Sequence, residues 1–276
     1  MRLILCLPAL LSLFVLPALA QDLALTVLDA KGASRNFSQA ELLKHPDART
    51  IAVAGDPAYG SASPGYRAIP LARLLAGMAT EGADILVATA TDGFVAQLPA
   101  AKVLSADPAG PLAWLAVEDP AKPWPKLKGK AVSAGPYYVV WTNPQRGGIG
   151  PEAWPYQTAR LELKESVAKR YPAILVAATL PADAPARRGQ ALFIDNCFAC
   201  HKMNGAGEAT IGPDLNLPMN PTEYFQPAVL PRYLRNPASV RHWANQKMPA
   251  IAPEAMSDAD LAAIIAYLGH MAGRKQ

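Results

Sequence analysis

The sequence predicts a multidomain protein in which a β-rich α+β domain is followed by an all-α domain. Its 276 residues are enough for two domains of ordinary size. Short apolar runs separated by Gly, Pro and Ser fill residues 21–181 and are typical of strands and turns, whereas residues 182–276 carry helical periodicity and helix caps. Between these patterns, residues 180–186 are rich in Ala and Pro, which is the composition of a linker.

The first twenty residues are predicted to be a secretory signal peptide. Arg2 precedes an almost wholly apolar run that ends in Ala-Leu-Ala before Gln21. We therefore leave residues 1–20 out of the fold and expect a periplasmic protein with no membrane anchor after cleavage. The run is a little short to span a bilayer and lacks a basic stop-transfer flank, so an uncleaved tether is the alternative.

The composition excludes several classes of protein. With 51% hydrophobic and 17% charged residues, the chain is not a disordered one. The net charge of +4 is small for this length and gives no argument for binding nucleic acid or an anionic membrane. Of the three cysteines, Cys6 leaves with the signal peptide, so only Cys197 and Cys200 remain. A disulfide framework therefore cannot stabilise the first domain.

Seven strands are predicted in the first domain from apolar runs bounded by turn residues. They cover residues 23–28, 50–54, 85–90, 94–98, 114–117, 137–141 and 160–163. Asp92-Gly93 marks the turn of a hairpin between the third and the fourth. Polar and apolar residues alternate over 160–163, as they do in an edge or half-exposed strand.

Five helices are predicted, two in the first part of the chain and three in the C-terminal part, where a short one covers residues 235–243 before the ligand loop. Ser38, with Glu41 three residues later, offers a capping box to a short helix, and residues 69–75 place three leucines on one helical face. In the C-terminal part, one helix covers residues 187–196, and Ser257 caps the last helix. The buried stripe of that last helix is Leu261, Ile264, Ile265 and Leu268.

The most specific motif is Cys197-Phe198-Ala199-Cys200-His201. Two thiols three positions apart can each add across one vinyl group of a haem, and the adjacent imidazole then lies under the iron as an axial ligand. A thioredoxin-type redox pair would follow a strand of a βαβ unit, and zinc would need further ligands at close spacing, but neither context is present. We therefore predict one covalent haem c, bound through Cys197 and Cys200, with His201 as an axial ligand of the iron.

Three further features follow this motif in the order that a small haem domain needs. They are Gly212-Pro213-Asp214-Leu215, the loop Lys247-Met248-Pro249 and the closing amphipathic helix. With them, residues 182–276 resemble a class I cytochrome c. This resemblance implies that Gly189 and Phe193 of the first helix meet Tyr267 of the last one. It also implies that the carbonyl of Pro213 accepts a hydrogen bond from the proximal His201, whose tautomer needs such a partner.

Five methionines in this region compete for the second axial position. Three of them have better alternative roles. Met203 lies near the attachment helix, Met256 lies before the last helix, and Met271 lies past the buried stripe of that helix. Met219 is a possible ligand in a Pro-flanked loop. Met248 lies in the loop just ahead of the last helix, where the family places its methionine, and is the predicted ligand. The rival is His242, since a second imidazole would also bind iron and would lower the reduction potential relative to a thioether.

Four stretches of the first domain carry a second resemblance. They are residues 66–71, 90–94, 111–115 and 135–140. Together they look like the molybdopterin-binding domain of the sulfite oxidase family, where the pterin dithiolene and one protein cysteine hold the molybdenum. Residues 21–196 contain no cysteine, and a soft thiolate ligand has no substitute among the neighbours. We therefore expect a domain without the metal centre that binds a partner or a small ligand.

The expected function is that of a periplasmic mono-haem cytochrome carrying single electrons between redox partner proteins. With both axial positions filled, the iron has no open site for a substrate. The alternative is a haem-containing subunit of a periplasmic oxidoreductase whose first domain binds a substrate or a molybdenum cofactor. A third possibility is a sensor that uses the haem as a redox switch. The sequence identifies no catalytic residues, so enzymatic activity stays open.

Overall fold

A computed structural model describes residues 24–276. The predicted signal peptide, residues 1–20, lies outside the described residues. Within the described range, no helix has the length and apolar character needed to cross a membrane.

Nine strands form two sheets in the described part of the chain. They are β1 Leu25–Leu28, β2 Ser34–Phe37, β3 Arg49–Ile51, β4 Tyr66–Pro70, β5 Ile85–Ala90, β6 Val95–Pro99, β7 Leu112–Val117, β8 Tyr137–Thr142 and β9 Thr158–Lys164. One sheet has the order β2-β1-β9-β5-β6 and the other the order β3-β4-β7-β8. All pairs are antiparallel except β1 with β9, and inward residues of both sheets share one hydrophobic core.

Short helices connect the strands, and the longer helices lie in the C-terminal part. They are α1 Gln39–Leu43, α2 Leu71–Leu74, α3 Ala100–Val103, α4 Val167–Arg170, α5 Pro185–Asn196, α6 Pro221–Tyr224, α7 Leu230–Arg235, α8 Pro237–Val240 and α9 Asp258–Ala272. The predicted caps of the first and last helices are confirmed: Ser38 and Glu41 form a capping box, and Ser257 accepts from the backbone of Asp260. The sheet-rich part followed by a helical part confirms the predicted fold class.

One predicted element is wrong in its bounds. Residues 69–75 are not one helix, because Ile69 and Pro70 end strand β4, which pairs with β7, and the helix begins only at Leu71. Strand β9, expected at an edge or half exposed, is a half-exposed strand that lies between β1 and β5. One of its faces packs on the core between the sheets, and the other carries charged residues.

Strand β5 packs against both the first part and the C-terminal part of the chain. Side chains alternate between the two faces of a strand. Leu86 and Ala88 face the core between the sheets, whereas Ile85 and Val87 belong to a second core that contains the C-terminal helices. The apolar run of β5 is therefore buried on both faces, and the five-stranded sheet lies between the two cores.

The connecting segment, defined here as residues 165–184, packs on the C-terminal helices. Tyr267 Oη donates a hydrogen bond to the carbonyl of Ile174 at 2.7 Å. The N–H of Val176 donates to Gln190 Oε1 at 2.7 Å. Both Ile174 and Val176 are buried in the second core. This segment is therefore part of the interior that the last helix covers.

Charged side chains fix the ends of the connecting segment. Glu208 Oε1 accepts hydrogen bonds from Lys164 at 2.9 Å, Arg170 at 2.8 Å and Tyr171 at 2.9 Å. The Arg187 guanidinium donates to the carbonyl of Ala178 and to those of Leu180 and Pro181, which begin the Ala/Pro stretch that the sequence marks as a linker. That stretch is thus held in place, and the domain boundary between residues 181 and 182 stays a prediction.

Helices α5 and α9 cross with almost no space between them. A Cβ at Gly189 would overlap the carbonyl oxygen of Ala263 and press on Tyr267. Beside this contact, the rings of Phe193 and Tyr267 pack with their centroids 5.1 Å apart. The three residues implied by the cytochrome resemblance therefore do meet, and the glycine permits the close approach.

We expect Gly189→Ala to destabilise the protein although alanine is the better helix former. The added Cβ would force α5 away from α9, and such overpacking costs about 1–3 kcal/mol. Gly269→Ala on α9 is the matched control, because nothing lies within 4 Å of a Cβ there. Helix propensity alone should make that variant more stable by up to about 1 kcal/mol. Denaturant unfolding measures both, and equal stability would contradict the close helix contact.

A chain of three buried asparagines holds the last turns of α9. Asn216 Nδ2 donates to the carbonyl of Met271 at 2.8 Å and to Asn204 Oδ1 at 2.7 Å. Asn220 Nδ2 donates to the carbonyl of Leu268 at 3.0 Å and to Asn216 Oδ1 at 2.8 Å. Since carbonyls at the end of a helix need partners from outside the helix, these amides tie the loop after the cysteine motif to α9.

Candidate haem-binding site

The cysteine motif lies on the turn directly after α5. Cys197 caps the helix through an N–H bond to the carbonyl of Phe193 at 2.8 Å. The backbone N–H groups of Cys200 and His201 both donate to the carbonyl of Cys197, at 3.0 and 2.9 Å. These bonds wind the motif into one further turn, which brings both thiols and the imidazole close together.

The protonation of the two thiols disfavours other uses of the pair. Burial, together with the nearby charge of Glu152, raises the pKa of Cys197 and of Cys200 to about 12. A redox-active cysteine has a lowered pKa instead, because the thiolate is the reactive form. The two cysteines remain thiols at neutral pH, the form in which a thiol adds across a vinyl group with its proton.

His201 is oriented by the Gly-Pro turn. Its Nδ1 lies 2.9 Å from the carbonyl oxygen of Pro213. A carbonyl only accepts, so Nδ1 carries the hydrogen and the lone pair of Nε2 is free for a metal. Burial lowers the pKa of His201, which keeps the ring neutral at pH 7. A Cβ at Gly212 would press against the same ring, so the turn and the imidazole fit closely.

The donor set fits a haem iron and does not fit a bare ion. One imidazole nitrogen, two thiols and a thioether on a separate loop suit a macrocycle that itself supplies four nitrogens. Within residues 24–276, no group of three or more His, Cys, Asp or Glu residues could hold a metal ion alone. The residues predicted for covalent haem attachment are therefore consistent with that cofactor.

The five candidate methionines differ in how deeply their side chains are buried. Three are packed in the second core: Met203, Met256 and Met271. Met219 is 50% exposed, whereas Met248 is partly buried in the long loop between α8 and α9. His242, the rival ligand, is exposed in that loop. The core positions support the alternative roles given to the three buried methionines, and Met248 as the axial ligand stays a prediction.

The hairpin of β5 and β6 reaches the cysteine motif from the first part of the chain. The N–H of Val95 donates to the carbonyl of Ala199, between the two cysteines, at 3.0 Å. At the hairpin turn, Gly93 has φ +91° and approaches Thr210 so closely that a Cβ would overlap its hydroxyl. This contact was not foreseen from the sequence, where Asp-Gly signals the turn but not what the turn touches.

A family comparison agrees with the geometry. Residues 186–272 match the family model of cytochrome c. The C-terminal part of the chain is a cytochrome c domain, a class of domain that transfers electrons through haem. No curated protein matches the chain.

One of the solved structures that match the chain shows a distant likeness. It is the sulfane dehydrogenase SoxCD from Paracoccus pantotrophus, with 17% identity and a TM-score of 0.36. The match covers 54% of this chain and 40% of that chain. Such a TM-score is too low to establish a shared fold. The molybdopterin-type fold of the first domain therefore stays a prediction.

Proposed function

We propose that this chain is a periplasmic mono-haem c-type cytochrome that carries single electrons between redox partner proteins. The observation that carries the proposal is the geometry of His201. Its Nδ1 bonds to Pro213 next to two protonated thiols, within a cytochrome c domain. This arrangement leaves one nitrogen ready for iron and two sulfurs ready for covalent attachment.

The chain's own residues determine what the haem can do. Bound haem supplies reversible one-electron exchange at its iron. Cys197 and Cys200 hold the cofactor permanently, and the bond to Pro213 keeps the His201 ring in one tautomer. Met248 would hold the iron as the second protein ligand, and with both ligands in place no position would remain for a substrate. The haem would then supply one-electron exchange without bond formation to a substrate.

The first domain is proposed to dock a redox partner. Its β5–β6 hairpin bonds to the cysteine motif through Val95, and its turn at Gly93 contacts Thr210 in the loop after the motif. A partner bound to this domain is therefore held near the haem, which favours fast transfer. The absence of cysteine from residues 21–196 argues against a thiolate-bound molybdenum in the same domain.

We expect protein made in a host that matures c-type haem to contain one iron per chain and no molybdenum or pterin. Elemental analysis, a pyridine haemochrome spectrum and a reversible one-electron titration measure this. Protein from a host without the maturation system is the control and should contain no covalent haem. Stoichiometric molybdenum would instead establish the alternative, a subunit of an oxidoreductase.

A further inference from the structure

A cleft lies at one end of the four-stranded sheet, whose residues take no part in the second core. Its volume is about 250 Å³. It is lined by Asp47 and Arg49 at the start of β3, by Arg73 of α2, and by the side chains of Pro70, Leu112 and Trp114. Two guanidinium groups and an apolar wall therefore share one small space, which we call the arginine cleft.

The indole ring of Trp114 fixes the position of Arg49. The guanidinium carbon of Arg49 lies 4.5 Å from the centroid of that ring. The tryptophan is only 2% exposed, and its Nε1 donates a hydrogen bond to Thr142 Oγ1 at 3.1 Å, so the ring itself is held in place. A guanidinium over an aromatic face keeps the N–H groups at its edge available as donors. Because Arg49 is already ordered, less conformational entropy is lost when a ligand binds to it.

Neither guanidinium group of the cleft has an anionic partner within the chain. Among residues 24–276, no ion pair and no side-chain hydrogen bond involves Arg49 or Arg73. The carboxylate among the lining residues belongs to Asp47, and it lies 3.9 Å from His45 Nδ1. Two positive charges against one negative charge leave the cleft positive. An anion of suitable shape is therefore attracted to it.

We propose that the arginine cleft binds a small organic anion that carries a carboxylate. The planar fork of a guanidinium group matches the two oxygens of a carboxylate, which would accept hydrogen bonds from Arg49 and Arg73. The apolar part of the ligand lies against Pro70 and Leu112. Since pockets for drug-sized ligands measure roughly 300–1,000 Å³, this cleft takes a smaller molecule, with a single ring or a short chain. The site goes beyond the proposed electron transfer and does not need the haem.

Benzoate is the probe for the test, because it joins a carboxylate to a small apolar ring. Isothermal titration calorimetry of the holoprotein should show one equivalent of benzoate bound. Benzamide has nearly the same shape but no charge, and it should bind at least about tenfold more weakly. Added salt should weaken the binding of benzoate, since the guanidinium groups are open to solvent and their attraction is screened.

Three substitutions test the roles of the charged side chains. Arg73→Gln should weaken benzoate binding by about tenfold or more, the usual effect of losing a hydrogen bond to a charged group. Arg73 is exposed and glutamine is a good helix former, so this variant should fold. Arg49→Lys keeps the charge but loses the planar fork, and it should also bind more weakly. Asp47→Asn should bind benzoate more tightly, because it removes the opposing negative charge.

Arg35→Gln is the matched control, since it removes an exposed arginine of β2 in the other sheet and should leave the affinity unchanged. The inference is wrong if benzoate does not bind at millimolar concentration, if benzamide binds equally well, or if Arg73→Gln and Arg49→Lys bind as the wild type does. A reversible cytochrome that binds no benzoate overturns this inference alone. A protein that binds benzoate but takes up no haem overturns the proposed function alone.

Discussion

Replacing Cys197 or Cys200 by serine should remove most of the haem-containing protein, and replacing both should remove all of it. Each thioether bond needs one thiol, and serine cannot form one. A helical part this small depends on its cofactor for much of its core, so the C-terminal part should not fold without haem. Haem-stained gels and the ratio of haem to protein absorbance measure the loss.

Covalent attachment also predicts how the wild type behaves when unfolded. The haem should stay with the polypeptide through denaturation and acidified organic extraction. Cys6→Ser is the matched control, because this cysteine lies in the predicted signal peptide and should not affect haem content. Haem that moves into the organic phase, or a normal haem content in the double variant, would rule out thioether attachment.

Met248→Ala should change the iron site more than any other single substitution in the loop. The oxidised wild type is expected to show the weak near-infrared band of charge transfer from a thioether sulfur to iron. The variant should lose the band, show a lower potential and bind carbon monoxide or cyanide, because the thioether raises the potential and blocks the site. Near-infrared absorption, potentiometry and ligand titration measure the three effects.

Met219→Ala provides the comparison for that experiment. Its side chain is half exposed, so the variant should behave as the wild type does. If the band survives in Met248→Ala and disappears in Met219→Ala, then Met219 is the ligand. If the wild type shows no band and already binds carbon monoxide, the site is open. If it shows no band and binds nothing, His242 becomes the candidate ligand and the potential should be lower.

Local signals in the sequence predicted much of the fold. Apolar runs gave the positions of most strands, and the spacing of Ser257 and Asp260 gave the start of the last helix. The Gly189 approach could be predicted because the family resemblance pairs it with Tyr267. These features depend on residues near one another in the chain, or on a pattern that a known domain repeats.

Long-range packing could not be predicted in the same way. The alternation in strand β9 fits an edge strand and a half-exposed central strand alike, and only its pairing with both β1 and β5 shows that it is central. Asn204, Asn216 and Asn220 look like loop residues in the sequence, because nothing local shows that their amides meet the end of α9.

The position of the connecting segment determines where a haem-containing fragment of this protein must begin if it is to be transferred to another protein. A gene fragment that begins at residue 182 would lack Ile174 and Val176, which pack in the same core as the last helix. It would also remove the carbonyl that holds the Tyr267 hydroxyl. A recombinant haem module that keeps these contacts must therefore begin before Val167, another residue of that core, in a stretch that the sequence pattern assigns to the other domain.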